Sequence, residues 1–296
     1  MNNEFWAELS GVKKRFGMTV ALDGLDLQVR PGELFSVLGP NGAGKSTAIS
    51  LLLGLLKPDA GAACLFGQSP FRIEPRRQIG VMMQEVTLAL ELLVREHIAL
   101  VASYYPRPFT PEEAMELTNI SPLALRPYGK LSAGQKRQVQ FTMAVCGRPK
   151  LLFLDEPSVG LDIRAREMMW ATLRQLVDNG SSIVLTTHYL EEAESLSNRV
   201  AVLNKGRLIA SGTVNEIRAL VVRKHITCST ALPLDQIAAW PDVESVTRDQ
   251  QRLQISTSNS EAVVRRLLAA DSNLQELEVR RAGLAEAFTE LTQEAA

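Results

Sequence analysis

Several kinds of hydrophobic pattern follow one another along the chain. Within residues 5–38, LDGLDLQV alternates apolar with polar positions, RPGE reads as a turn, and LFSVLG is a continuous apolar run. Alternation at a period of two predicts a half-buried strand, and a short unbroken run predicts a strand covered on both faces. AISLLLGLL at 48–56 is helical in character, and IGVMMQ at 79–84 reads as a second short buried strand. From about 86 to 148 the pattern turns helical, broken by Pro106, Pro108, Pro111, Pro122 and Pro127, which predicts an inserted helical subdomain.

Strand character returns in LLFLDEP (151–157) and SIVLTTH (182–188). Between them a helix is predicted over 164–178, stopped by Asn179-Gly180 as a glycine C-cap. YLEEAESLS reads as a short helix and VAVLNKGRLIASG as a hairpin turning at Asn204–Gly206. Strands alternating with helices over this length imply a mainly parallel sheet with helices on both faces. After Gly212 the segments shorten. A helix at VNEIRALV is followed by strands HITCST, VESVTR, RLQIST and ELEVRR, alternating with helices LDQIAAW, EAVVRRLLAA and LAEAFTELT. The expectation is an α/β domain over 1–215 with an antiparallel N-terminal β region, and a small α+β domain over 216–296.

Chemistry enters where the strands end. Gly39, Pro40, Asn41, Gly42, Ala43, Gly44, Lys45, Ser46 and Thr47 follow a strand and open a helix, in the pattern G-x-x-x-x-G-K-[ST]. Such a loop wraps a phosphate with backbone N–H groups and adds the positive end of the helix dipole. Lys45 is expected to reach the β- and γ-phosphates, and the Ser46 hydroxyl to bind Mg2+. Asp155 and Glu156 end the buried strand LLFLDEP: Asp155 is expected to hold Mg2+ through water, and Glu156 to polarise an attacking water as general base. Alone, the pair would read equally well as solvated acids; the phosphate loop decides between the readings. His188 ends a strand of the same sheet, so its imidazole is expected beside the carboxylates, bonding the γ-phosphate and the water. Gln84, also at a strand end, is expected to sense Mg2+ and the water through its amide.

Composition narrows the setting. With 296 residues, 46% of them apolar, the chain suffices for one large domain or a large and a small one. A net charge of −1 gives no electrostatic footprint for nucleic acid, which is excluded as an expected partner. The most apolar segment, AISLLLGLL, falls far short of the about 20 residues that span a bilayer. MNNEFWAELS lacks the basic and apolar regions of a signal peptide, so a soluble chain is expected. Cys64, Cys146 and Cys228 are far apart and read as small core residues of a reduced compartment.

A second small-residue loop, KLSAGQKRQ at 130–138, also opens a helix. Alone it would be an ordinary capped helix start. Together, GPNGAGKST, Gln84, LSAGQ, LLFLDEP, SVGLD and His188 stand in the order and spacing of ABC-transporter ATPase subunits, and the chain resembles that family from residue 5 to about 215. LSAGQ resembles the signature motif LSGGQ, with Ala133 in place of its first glycine. The resemblance implies two such domains packed head to tail, each signature loop capping the ATP held by the other's phosphate loop. Ser132, Gly134 and Gln135 would then contact γ-phosphate and ribose across the interface, and Asp162, in the D-loop SVGLD, would link the two sites. Phe16, in KKRFG, takes the place of the aromatic that stacks on adenine, most often Tyr. A methyl at Ala133 is tolerable only where φ is negative and the phosphate does not approach that carbon.

The resemblance further implies ATP and Mg2+ as cofactors, a separate integral membrane permease as partner, and a peripheral position on the cytoplasmic face of the plasma membrane. EVTLALELLVREHI (85–98) resembles the part that meets the membrane subunit. LEVRRAGLAEAFTELT, in the small domain after Gly212-Thr213, resembles the end of drug-exporter and antibiotic self-resistance ATPases, which implies export. An importer ATPase would share every catalytic motif. A soluble ABC ATPase acting on ribosome or DNA would carry tandem domains, long coiled coils or zinc-binding cysteines. An intact Glu156 and His188 argue against a non-hydrolysing module, and Asn204-Lys205-Gly206 lacks the Asp of a guanine reader.

Overall fold

The strand ends that carry the chemistry belong to one six-stranded sheet. The computed structural model describes residues 4–220, 224–249, 252–281 and 283–294. Clustering of contacts divides the chain into two compact units, one ending at Val214 and the other spanning Asn215–Glu294.

In the first unit the elements run β1 (Ala7–Phe16), β2 (Thr19–Val29), β3 (Leu34–Leu38), α1 (Lys45–Leu52), β4 (Ala60–Leu65), α2 (Ile73–Arg76) and β5 (Ile79–Met82). They continue with α3 (Val94–Ala102), α4 (Pro111–Leu117), α5 (Ala133–Val145), β6 (Leu151–Asp155), α6 (Ile163–Asp178), β7 (Ser182–Thr186), α7 (Leu190–Leu196), β8 (Arg199–Asn204) and β9 (Arg207–Thr213). The large sheet has the order β5-β6-β7-β3-β8-β9. Its pairs are parallel except β8 with β9, which forms the expected hairpin. A separate antiparallel sheet, β2-β1-β4, makes up the N-terminal β region.

The unbroken apolar runs are explained by two cores on opposite faces of the large sheet. Phe35, Val37, Leu151, Phe153 and Val184 join the core that includes β1, β2 and α1. Their strand neighbours Leu34, Leu152, Leu154, Ile183 and Leu185 join the core built with α5 and α6. Successive side chains of a strand point to opposite faces, so a strand covered on both sides is apolar at most positions of both faces. Ser36 and Ser182 are polar and buried, and each is hydrogen-bonded, to Ser197 Oγ and Arg30 O respectively. Each of these ten side chains is almost wholly buried, and each contributes about 1.5–3 kcal/mol of transfer free energy.

The helical insertion has its own core of Val94, Ile98, Ala114, Met115, Ile120, Val139 and neighbours. Helix begins only at Val94, not near residue 86. The reason is in the backbone: the Leu90 and Leu92 carbonyls accept from the N–H groups of Gly129 (2.8 Å) and Tyr128 (2.9 Å), and Ala89 O lies 2.9 Å from His97 Nε2. Those carbonyls are committed to the 127–130 turn and the next helix, so residues 85–93 stay irregular. Strand β4, AGAACL, was not foreseen either; it is poor in β-branched residues and is a strand through its pairing with β1.

The second unit holds α8 (Val214–Ala219, which starts at the boundary), β10 (Lys224–Ser229), α9 (Leu234–Ala238), β11 (Val243–Asp249), β12 (Arg252–Thr257), α10 (Ser260–Ala270), β13 (Gln275–Arg281) and α11 (Leu284–Glu294). Its antiparallel sheet has the order β11-β12-β10-β13. Ile226, Cys228, Leu253 and Ile255 from one face of that sheet pack with Ile237, Val263 and Leu267 of the helices.

Candidate active site

The loop between β3 and α1 is shaped by glycines that no other residue could replace. Gly44 precedes α1 at φ 103°, and a Cβ there would sit 2.6 Å from the Ala21 carbonyl oxygen. A Cβ on Gly39 would meet Leu203 O at 2.6 Å. No side chain caps the start of α1, so its first N–H groups remain available to an anion. Lys45 folds back over the loop, and its Nζ donates to the carbonyl oxygens of Gly39 (2.7 Å) and Pro40 (3.1 Å). Burial lowers its pKa from the ordinary lysine value, opposed by the charges of Glu156 and then Asp155. Pro40, Asn41, Gly42 and Ser46 are exposed, Thr47 is half-buried and Ala43 is buried.

Parallel pairing aligns β6 beside β7 with Asp155 opposite Thr186, so both strands end together. Asp155 is buried; one carboxylate oxygen accepts from Thr186 Oγ1, and the other accepts from Ser46 Oγ at 3.2 Å. A hydroxyl and a carboxylate held together at the mouth of the loop are the hard oxygen donors that suit Mg2+. The chain's residues therefore fit a Mg2+–nucleotide.

Glu156 follows at φ 52°, a left-handed conformation that is disfavoured for a residue with a Cβ, at a cost on the order of 1–3 kcal/mol. Its N–H donates to Thr186 O at 3.0 Å. The turn directs its carboxylate to His188, whose Nδ1 lies 2.7 Å from Glu156 Oε2. The His188 side chain is half exposed and stacks at 4.1 Å between centroids on Tyr189. The structure thus gathers Ser46, bonded to Asp155, and Glu156, bonded to His188, at the ends of β3, β6 and β7, with Lys45 beside them held to its own loop carbonyls.

The remaining residues lie at the margins. Gln84 is exposed two positions beyond β5. Phe16 ends β1 with its ring 49% exposed and Lys14 Nζ at 5.6 Å from its centroid. Ser132 caps α5: its Oγ accepts from Gln135 N (3.2 Å), while Gln135 Oε1 accepts from Ser132 N (3.1 Å). This reciprocal box satisfies two otherwise orphaned donors. Ala133 is the first helical residue and is exposed, so its methyl meets the negative-φ condition. Gly134 faces the D-loop of its own chain, where a Cβ would lie 3.1 Å from Gly160 O. Asp162 caps α6, its Oδ1 accepting from Ala165 N at 2.8 Å. Among the described residues no hydrogen bond joins Ser132, Gly134 or Gln135 to the phosphate loop.

Two buried polar residues escaped the sequence reading. Glu192 of α7 accepts from Ser158 Oγ (3.1 Å) and Trp170 Nε1 (2.9 Å), tying the D-loop to the helix that follows His188. Arg137 of α5 donates to four backbone carbonyls, those of Met83, Gln84, Asp155 and Glu156. Burial lowers its pKa, opposed by Asp155 and Glu156. The available signal was its place on the stripe with Phe141 and Ala144, a charge among residues spaced for burial.

Fold and site together define a P-loop ATPase. A family model described as "ABC transporter" matches residues 22–159. The chain is 42% identical over 209 residues to Nod factor export ATP-binding protein I of Burkholderia thailandensis, covering 68% of each chain. It is 36% identical over 299 residues to the daunorubicin resistance ATP-binding protein DrrA3 of Streptomyces coeruleorubidus, covering 96% of this chain and 95% of that one. A solved ATP-binding subunit of an ABC transporter superposes with a TM-score of 0.68 at 28% identity, over 73% of this chain and 92% of the other. The chain belongs to the ABC transporter ATP-binding family, related to its export-type members. It is an ATPase coupled to transport, and ATP with Mg2+ is the ligand pair typical of the family. Among the described residues no helix is long and apolar enough to cross a membrane.

Proposed function

We propose that this chain powers export through a separate integral membrane permease, with ATP held at the head-to-tail interface of two ATPase domains. Residues 1–215 are the ATPase domain and 216–296 a small appended domain. The observation that carries the chemistry is the grouping of the Ser46–Asp155 and Glu156–His188 pairs beside the Lys45 of the phosphate loop. Export is supported by what the relatives are named for, Nod factor export and daunorubicin resistance.

In this reading the phosphate loop, Gly39 to Thr47, binds the triphosphate, with Lys45 leaving its loop carbonyls for the β- and γ-phosphates. Phe16 stacks on adenine. Ser46 and Asp155, with Gln84 nearby, would hold Mg2+, which neutralises charge on the phosphates when bound. Glu156 takes the proton of the attacking water. His188 turns from the carboxylate toward the γ-phosphate. Ser132, Gly134 and Gln135 face the partner domain's nucleotide, and Asp162 fixes the start of α6 beside that interface. Phosphoryl transfer to water needs positioning and charge stabilisation more than covalent chemistry. ATP thus closes the dimer, hydrolysis reopens it, and the motion passes to the permease from a peripheral position on the cytoplasmic face.

The test is purification of the tagged full chain from its own membranes in mild detergent, with mass spectrometry of what accompanies it. A polytopic membrane protein in near-stoichiometric amount is expected. Recovery with ribosomes or DNA-repair proteins instead would reassign the chain to the soluble ABC ATPases.

A further inference from the structure

One guanidinium joins three segments of the site. Arg137 Nη1 donates to the carbonyl oxygens of Met83 (2.9 Å) and Gln84 (3.1 Å), just beyond β5, and to Gln140 Oε1 (3.0 Å). Its Nη2 donates to the carbonyl oxygens of Asp155 (2.8 Å) and Glu156 (2.6 Å). The side chain is 8% exposed and lies on α5, five residues after the Ser132 cap.

These partners do more than satisfy a buried charge. Glu156 sits in the left-handed region, and such a conformation persists only where its surroundings over-determine it. Its N–H is held by Thr186 O and its carbonyl by Arg137, so both peptide planes flanking the strained Cα are fixed. Those two planes decide where the carboxylate points. A planar fork with several donors in fixed directions can hold carbonyls from two loops at once, whereas an ammonium is a point charge.

We infer that Arg137 is a positioning residue: it sets the Glu156 carboxylate to take the proton of the water that attacks ATP, and ties that setting to the helix opened by the signature loop. The inference rests on Glu156 as general base and on the head-to-tail dimer. Arg137 touches no reacting atom. Any shift of α5 when its Ser132 end meets the partner domain's nucleotide moves this guanidinium, and with it the backbone of Gln84 and Glu156. Closure over one nucleotide is thereby communicated to the water-activating group of the other site.

The test uses the full chain with Arg137→Gln and Arg137→Lys, each alone and combined with Glu156→Gln. Arg137→Gln is expected to keep the KM for ATP within about threefold while kcat falls about 30-fold or more, part of the range a general base supplies. Arg137→Lys, unable to fork, is expected to lose at least about tenfold in kcat. Added to Glu156→Gln, either change should cost less than about threefold in the residual single-turnover rate, because both act through one carboxylate. An equal fold-loss in both backgrounds, a loss confined to ATP affinity, or normal kcat in a folded variant overturns the inference. If Arg137→Gln does not fold, the lysine pair carries the same comparison. Failure of the base assignment reads separately, as near-normal turnover of Glu156→Gln alone. Failure of the dimer reading shows as a monomer that turns over ATP normally at any concentration.

Discussion

Glu156 and His188 share a hydrogen-bonding contact of 2.7 Å between Oε2 and Nδ1, with the carboxylate buried and the imidazole half exposed. The pair has a fixed, dry end and a movable, wet end. Replacing Glu156 by Gln keeps an oxygen that can accept from the imidazole but removes the ability to take a proton. Glu156→Gln is therefore expected to bind ATP normally, lose about 100-fold or more in turnover, and accumulate as an ATP-bound dimer on size exclusion. Turnover within a few fold of the parent would remove Glu156 from the base role.

Phe16 offers an exposed ring at the end of β1. Stacking on a base needs the ring and not a hydroxyl. Phe16→Ala is expected to lose about 1–3 kcal/mol of ATP binding, roughly 5- to 150-fold in Kd by calorimetry, with kcat at saturation little changed. Phe16→Tyr should bind as the parent does. An unaltered Kd in Phe16→Ala would return the residue to a packing role in the hairpin.

Tyr105 and Cys146 predict an alkaline weakness. Burial pushes both the phenol and the thiol up to about 12. Their ordinary values, 10.0 and 9.0, apply in the unfolded chain. The folded values are the higher ones, so the unfolded state sheds protons first as pH rises. Their contribution to stability is fully present below pH 9.0 and is lost progressively up to about 12. The urea midpoint should fall across that window. Tyr105→Phe should start lower by about 1 kcal/mol, having lost the bond from Tyr105 Oη to Ile79 O, but decline less steeply. Equal slopes for parent and variant would show that Tyr105 has no part in the loss.

The placement of the phosphate loop and the two carboxylates at strand ends could be read from the chain, because it follows from side-chain types at fixed spacing between a strand and a helix. The buried strands were readable for a similar reason: a strand packed on both faces is apolar at most positions, and LLFLD has no polar residue before the functional end while SIVL has one, Ser182, at its start. Arg137 could not be assigned, because its partners are carbonyls of Met83, Gln84, Asp155 and Glu156, and a backbone carbonyl carries no residue-type signature. The left-handed turn at Glu156 was equally hidden, since glutamate is not a residue that announces positive φ. Helix was expected eight residues too early before Val94, because local pattern cannot show that the Leu90 and Leu92 carbonyls are already taken.

Ser132 and Ala133 make opposite predictions from adjacent positions. Ser132 caps α5, and in the dimer its hydroxyl would face the other domain's γ-phosphate. An arginine there would fill the space the nucleotide needs and remove the cap, which is worth about 1 kcal/mol of helix stability. Ser132→Arg is expected to leave ATP binding to the monomer intact, because the phosphate loop has no hydrogen bond to this segment among the described residues. ATP-driven dimerisation should be abolished, and with it at least about 100-fold of turnover, since each site lacks its cap. Ala133→Gly should do almost nothing. The methyl is exposed, sits at the first helical position and strains no backbone, so turnover should change by less than about threefold. Measuring both by light scattering with and without ATP separates the cases. Normal dimerisation of Ser132→Arg would sink the shared-site reading, whereas a large gain in Ala133→Gly would mean that the methyl obstructs closure against the partner's nucleotide.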